Sequence, residues 1–119
     1  MAVNFSIPNV KFEDVRMPIE GDSFFWYALE PTIRKKSLVY HHSASSDGDA
    51  YSIARYHVRV NGWGGIGYHF VIKRDGTIQY CGDLGTWRAH VANDNPGRVG
   101  ICLIGNFSTD QRPTKEQLI

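Results

Sequence analysis

The chain carries five histidines, and they are its strongest candidates for chemistry: His41, His42, His57, His69 and His90. Imidazole is the commonest metal ligand in proteins and titrates near neutral pH, so it serves both metal binding and acid–base catalysis. His41 and His42 end residues 37–42, a short apolar run rich in strand-forming residues. Ligand sites in α/β proteins gather at strand ends, so both are candidate site residues. Because side chains alternate along a strand, the two should point to opposite faces and not share one metal. Either could instead be a hydrogen-bonded structural histidine.

The other histidines have different surroundings. His57 lies on the apolar face of a helix predicted over residues 50–60, so we interpret it as a core or supporting residue rather than a ligand. His69 adjoins Tyr68 in a strand predicted over residues 68–73. Tyr68 could donate a hydrogen bond to developing negative charge, or it could simply be packed with its hydroxyl at the surface. His90 lies with Trp87 and Arg88 in a long loop, 82–97, and is either part of a groove wall or a solvated loop residue.

These residues need a scaffold, and the pattern predicts an α/β fold. Strands are expected at 37–42, 68–73, 78–81 and 99–104, the last apolar on both faces as in a buried central strand. Asp47 or Asp49 is expected to cap the helix, and residues 74–77 read as a hairpin turn. Residues 113–119 open a second helix, with Thr114 and Gln117 as its capping box. Residues 1–36 are irregular in pattern and are predicted to form an extension packed on the domain at 37–119.

Composition narrows the function classes. A net charge of +1 offers no basic field for phosphates, which argues against a nucleic-acid partner. No apolar stretch approaches the roughly 20 residues of a membrane helix, so no membrane association is expected. The first residues lack a basic start followed by an apolar core, so we expect cytoplasmic synthesis without a signal peptide. Cys81 and Cys102 are expected to be reduced, partly buried thiols.

Strong short motifs are missing from the sequence. We find no paired histidines on a helix and no closely spaced cysteine pairs of the kind that bind zinc. Residues 62–65, Gly-Trp-Gly-Gly, lack the downstream Lys-Ser/Thr of a nucleotide loop. The residues alone therefore indicate a small α/β hydrolase or binding domain with a histidine-lined cleft.

The ordered set of blocks is more specific than any single block. They are residues 38–44 (LVYHHSA), 53–57, 62–63, 67–78 (GYHFVIKRDGTI), 90–92, 99–107 (VGICLIGNF) and 113–118. From about residue 37 onward, this series resembles the type-2 N-acetylmuramoyl-L-alanine amidases, which include phage amidase endolysins and animal peptidoglycan recognition proteins. The resemblance implies a central mixed β-sheet flanked by helices. It also implies peptidoglycan as partner and zinc-dependent cleavage of the amide between N-acetylmuramic acid and L-alanine.

The resemblance also implies residue roles. His41 matches the first zinc ligand, while His42 fills a variable position and is predicted to bind substrate. Tyr68 matches the tyrosine that supports the zinc-bound water and the tetrahedral intermediate. His90 and its loop, with Trp87 and Arg88, match the groove wall that meets the stem peptide.

Two further zinc ligands of the family follow the final helix, beyond the position of Ile119, and Cys102 matches a core-strand position instead. We therefore expect a domain lacking its last helix and ligand strand, cut from a parent zinc amidase. A phage lysin released onto the cell wall at lysis fits better than a secreted recognition protein. The alternatives are a non-catalytic peptidoglycan-binding module and an enzyme completed by another chain. Self-association through the uncovered C-terminal side is also expected.

Overall fold

A five-stranded mixed β-sheet forms the centre of the protein. The computed structural model describes residues 10–16, 37–62, 65–84, 98–108 and 111–118. Its elements in chain order are β1 (Phe12–Asp14), β2 (Ser37–His42), α1 (Ala50–Arg59), β3 (Phe70–Ile72), β4 (Ile78–Tyr80), β5 (Arg98–Leu103) and α2 (Lys115–Leu118). The strand order is β1-β4-β3-β5-β2, with β3 and β4 antiparallel and the other neighbours parallel. The predicted α/β class with a mixed sheet is confirmed.

The strands agree with the sequence pattern in most places. β5 lies between β3 and β2 and is mostly buried, as its two apolar faces predicted. The strand predicted over residues 68–73 is shorter, because Tyr68 and His69 precede β3 in an irregular segment. β1, which the irregular pattern of residues 1–36 did not predict, adds a parallel edge strand beside β4. The division at residue 37 itself stays a prediction.

Helix α1 packs on one face of the sheet and is fixed at its N-terminus. Asp49 caps it: the Asp49 side chain accepts the Ser52 N–H, and the Ser52 hydroxyl accepts the Asp49 N–H. The Ala50 N–H, otherwise unpartnered at a helix start, donates to Oε1 of Gln79 in β4 over 2.8 Å. The helix thus joins the core cluster of buried residues, which comprises Ala50, Ile66, Val71, Cys81, Cys102 and Ile104.

The β3–β4 hairpin holds the C-terminal helix. Gly76 turns the hairpin with φ +89°, as the Asp-Gly pair predicted. Thr114 and Gln117 form the predicted capping box: the Gln117 N–H donates to the Thr114 hydroxyl, and the Thr114 N–H donates to Gln117 Oε1. The Gln117 amide then donates to the Ile72 and Ile104 carbonyls, and so α2 is tied directly to β3 and the end of β5.

An apolar trough lies beside α2. It is lined mainly by Tyr40, His41, His42, Ile72, Leu103, Phe107, Ser108, Pro113, Gln117 and Leu118 and has a volume of about 920 Å³. Tyr40 is 63% and Leu118 69% exposed there. Self-association through this side remains a prediction. Within the described residues, no helix is long and apolar enough to cross a membrane.

Candidate functional site

Tyr68 is the centre of a small cluster of rings beside α1. Its ring centroid lies 5.4 Å from that of His41 and 5.6 Å from that of His57. The Cys102 thiol lies close enough to its hydroxyl to affect its pKa. The structure therefore brings two histidines that are sixteen positions apart in sequence next to one phenol.

Sheet register places His41 in this cluster. His41 of β2 pairs with Cys102 of β5, so the two side chains share a face of the sheet. Burial, and then the neighbouring His42, lower the pKa of His41 below its usual value. The neutral imidazole, which is the form that binds metals, is therefore favoured at neutral pH.

Tyr68 and Cys102 both remain protonated at neutral pH. Burial is the main cause that raises the pKa of Tyr68, and Cys102 adds to it. Burial also raises the pKa of Cys102 to about 12, although the nearby Tyr68 acts in the opposite direction. A metal ligand must be a thiolate, so a buried neutral thiol fits the core-strand role predicted for Cys102. Tyr68 can act as a hydrogen-bond donor.

A groove of about 660 Å³ opens next to Tyr68, between α1 and the loop that follows β2. The loop is fastened to the end of β5, because the Ser43 hydroxyl accepts the Gly105 N–H at 2.9 Å and the Ala44 N–H donates to the Gly105 carbonyl. Ala44 takes a left-handed conformation with φ 57°, which is uncommon for a residue with a Cβ. The groove wall is thus a tightly held loop rather than a loose one.

The wall includes residues that the sequence reasoning did not assign to the site: Ser45, Asp47, Ser52, Ile53 and Tyr56. The polar composition of residues 43–48 was a usable signal for the loop. Nothing in the spacing pointed to Tyr56, because it differs from a solvent-facing helix residue only by its place next to the groove.

Of the four predicted substrate-binding residues, only His42 lies in the part of the chain that the structure describes, and it is not among the residues that line this groove. His42 lies on the other side of β2, where its ring stacks 5.6 Å from that of Phe107 and its Nδ1 accepts the Phe107 N–H over 3.0 Å. The prediction that His41 and His42 face opposite ways agrees with this placement. Trp87, Arg88 and His90 lie outside the described residues. Substrate binding by all four stays a prediction.

In this site, His41 is the side chain that suits the expected zinc ion as a ligand. His41 is half-buried, neutral and adjacent to a phenol. Within the described ranges, however, no three His, Cys, Asp or Glu side chains come together as a metal-binding group. A catalytic zinc site normally takes three protein ligands. Any further donors would have to come from outside the described residues.

Comparisons with known proteins identify the family of this chain. The family model described as N-acetylmuramoyl-L-alanine amidase matches residues 31–119. The endolysin of Klebsiella phage KP32 is 36% identical over 70 residues, which is 59% of this chain and 46% of the relative. The peptidoglycan-recognition protein SC1a of Drosophila melanogaster is 32% identical over 80 residues, covering 60% of this chain and 43% of the relative. The chain thus spans less than half the length of these two relatives.

A solved structure is similar as well. The N-acetylmuramoyl-L-alanine amidase LysC from Clostridium intestinale superposes with a TM-score of 0.75 at 29% identity, over 91% of this chain and 67% of that one. The family match covers about three-quarters of the chain, and it includes both His41 and Tyr68. The chain therefore belongs to the N-acetylmuramoyl-L-alanine amidase family.

Proposed function

We propose that this chain is the part of a zinc-dependent amidase that carries the first metal ligand and the phenol that assists hydrolysis. The bond cleaved is the amide between N-acetylmuramic acid and L-alanine in peptidoglycan. The observation that supports this best is the contact between His41 and Tyr68, with ring centroids 5.4 Å apart at the end of β2, in a chain of this family.

His41 is the residue that would hold the metal, through the lone pair of its neutral imidazole. When bound, zinc would polarise the amide carbonyl and make a water more nucleophilic. Tyr68 has a separate task that its surroundings suit. Because burial keeps the phenol protonated, its O–H can donate to an oxygen that gains negative charge during amide hydrolysis. A half-buried donor is effective because water competes with it less than at an open surface.

The groove supplies a place for the substrate beside these groups. Ser45 and Asp47 offer hydroxyl, backbone and carboxylate groups along one side, and Tyr56 offers an aromatic face on α1. Peptidoglycan strands combine sugar hydroxyls with amide groups, which such a mixed wall can hydrogen-bond. The fastened loop at Ser43 would keep this wall in place during binding.

The first test is amide cleavage by this 119-residue chain on purified peptidoglycan, followed as newly released L-alanine amino groups with zinc or with a chelator. Zinc-dependent release is expected if the chain, alone or paired, assembles a full donor set. Tyr68→Phe should lower turnover by about 10²-fold or more, as removal of an oxyanion donor does. Tyr51→Phe, a change on the exposed side of α1, is the matched control and should turn over like the parent.

Metal binding needs its own readout. Zinc content after dialysis, measured by atomic spectrometry, should fall to background in His41→Ala. It should be unchanged in Tyr51→Phe. Equal zinc content in His41→Ala and the parent would refute the assignment of His41.

A non-catalytic peptidoglycan-binding module is the second candidate. The observation that favours it is the lack of any three metal-binding side chains grouped together among the described residues, together with the similarity to a peptidoglycan-recognition protein. Sedimentation of the chain with insoluble cell wall in the presence of a chelator distinguishes the two. Retained binding without any amide release supports the module, whereas release in zinc supports the enzyme.

The site of action follows from the same proposal. A relative of phage endolysins would be made in the cytoplasm and would reach the cell wall when the host lyses. External addition of the chain to intact and to membrane-permeabilised cells tests this. Clearing only after permeabilisation of the envelope supports release at lysis.

A further inference from the structure

We infer that His57 is a positioning residue for Tyr68: its imidazole holds the backbone at Gly67, so that the phenol is held against His41. This inference deepens the proposed function and rests on it for its catalytic meaning. The geometric part stands on hydrogen bonds that are independent of any substrate or metal.

The segment that carries Tyr68 lacks the support of a regular strand. β3 begins only at Phe70, and residues 65–69 belong to no helix or strand. A residue in a strand is aligned by the hydrogen bonds of the ladder, whereas Tyr68 is not. Some other contact must therefore fix the backbone on each side of this residue.

On the C-terminal side, His69 provides that contact. The His69 N–H donates to the Gly100 carbonyl over 2.9 Å, and the Gly100 N–H donates to Nδ1 of His69 over 3.0 Å. The His69 carbonyl also accepts the N–H groups of Cys81 and Gly82. His69 is fully buried, so these bonds are shielded from water. The position after Tyr68 is therefore fixed to β5 and to the end of β4.

On the N-terminal side, the contact comes from helix α1. Nδ1 of His57 accepts the Gly67 N–H over 2.8 Å, and this bond is buried. Because Nδ1 is the acceptor, the neutral imidazole carries its proton on Nε2. The same ring lies 5.6 Å from the Tyr68 ring, so His57 fixes both the backbone before Tyr68 and one side of its phenol.

The two histidines next to the phenol thus have different roles. His41 is the proposed metal ligand, and His57 supports Tyr68 from α1 without belonging to the reacting groups. Displacing a catalytic group by about 1 Å can lower turnover by about 10²-fold. Replacing His57 with a residue that has no acceptor leaves the Gly67 N–H without its partner and removes the support. The expected effect is a lower kcat with little change in KM.

The experiment compares His57→Leu with His57→Asn. Leucine keeps similar bulk without an acceptor, whereas the side-chain oxygen of asparagine lies as many bonds from the backbone as Nδ1 does. The chain is labelled with 3-fluorotyrosine at its six tyrosines, and the Tyr68 fluorine signal is assigned by its loss in Tyr68→Phe. In His57→Leu we expect the Tyr68 signal to shift or broaden and kcat to fall about 10- to 100-fold. In His57→Asn we expect the Tyr68 fluorine signal and kcat to return toward the parental values.

Three outcomes decide the inference. A parental Tyr68 signal and parental kcat in His57→Leu would overturn it, as would a folded His57→Asn that is as impaired as the leucine variant. If His57→Leu does not fold, His57→Asn is compared with His57→Gln, whose side-chain oxygen lies one bond further from the backbone. Equal Tyr68 fluorine signals in these two variants would overturn the role of His57 as acceptor. If the parent chain releases no L-alanine, the proposed function fails, and the fluorine signals alone still decide whether His57 positions Tyr68.

Discussion

Burial of His57 makes a quantitative prediction about stability and pH. Burial lowers the pKa of His57 from 6.5 to about 4, and the side chain is only 8% exposed. In the unfolded chain the imidazole takes up a proton below pH 6.5, whereas in the folded chain it stays neutral until about pH 4. The unfolded state therefore binds more protons in that window, and stability must fall as the pH is lowered through it.

The size of the loss follows from the difference between the two pKa values. One pKa unit corresponds to about 1.4 kcal/mol, so lowering the pKa of His57 from 6.5 to about 4 removes about 3 kcal/mol of stability between pH 7.5 and pH 4. That is a large part of the 5–15 kcal/mol that typically stabilises a domain. The Tyr68 ring in contact with His57 stays uncharged throughout, because its pKa is raised.

The assay is urea unfolding followed by far-ultraviolet circular dichroism at several pH values from 7.5 to 4, with His57→Asn measured in parallel. The variant keeps an acceptor for the Gly67 N–H but does not titrate. The difference in unfolding free energy between parent and variant should therefore fall by about 3 kcal/mol toward pH 4. Contributions from distant groups cancel in that difference. Tyr51→Phe is the control and should follow the parent at every pH. A difference between parent and His57→Asn that stays flat within about 0.5 kcal/mol, the usual error of additivity, would refute the reasoning.

Other predictions concern the scaffold. Gly105→Ala should destabilise the fold by about 2 kcal/mol or more in urea unfolding, because Gly105 has φ +150° and an added Cβ would clash with the Phe107 ring. An unfolding midpoint equal to that of the parent would contradict this. Thr114→Ala should lower the free energy of unfolding by about 1 kcal/mol in the same urea assay, because the α2 cap is lost. Thr114→Ser should restore most of that free energy. The chain should self-associate through its apolar trough, and Leu118→Lys should shift the equilibrium toward monomer, as measured by sedimentation velocity. A parent chain that stays monomeric at high concentration would count against this.

Local patterns predicted the individual elements well. The apolar spacing of residues 50–60 and a carboxylate before it predicted α1 and its cap, and Asp49 is that cap. Asp75 and Gly76 predicted the hairpin turn between β3 and β4, because few residue pairs take the backbone angles required. The apolar run at 99–104 predicted a central strand. Each of these signals depends on neighbours in sequence, so it can be detected without the fold.

Predictions that depended on long-range contacts were less complete. The short β1 carries too few residues for a pattern, and its pairing with β4 comes from residues far apart in the chain. The predicted start of β3 was wrong at Tyr68 and His69, because hydrogen bonds from His57 and Gly100 replace the strand ladder there. Sequence alone left His57 as either a core or a supporting residue. The structure shows that it is buried and lies next to Tyr68, while a supporting role stays a proposal.

The sequence by itself determined the family and the α/β class, and it indicated His41 and Tyr68 as candidates for the chemistry. It could do so because residue types in a fixed order are a property of the chain. Only the tertiary structure decided that these two side chains meet, that Cys102 is buried near the phenol and that His57 contacts the same ring from α1. Those facts depend on sheet register and on burial, which arise from contacts between residues tens of positions apart.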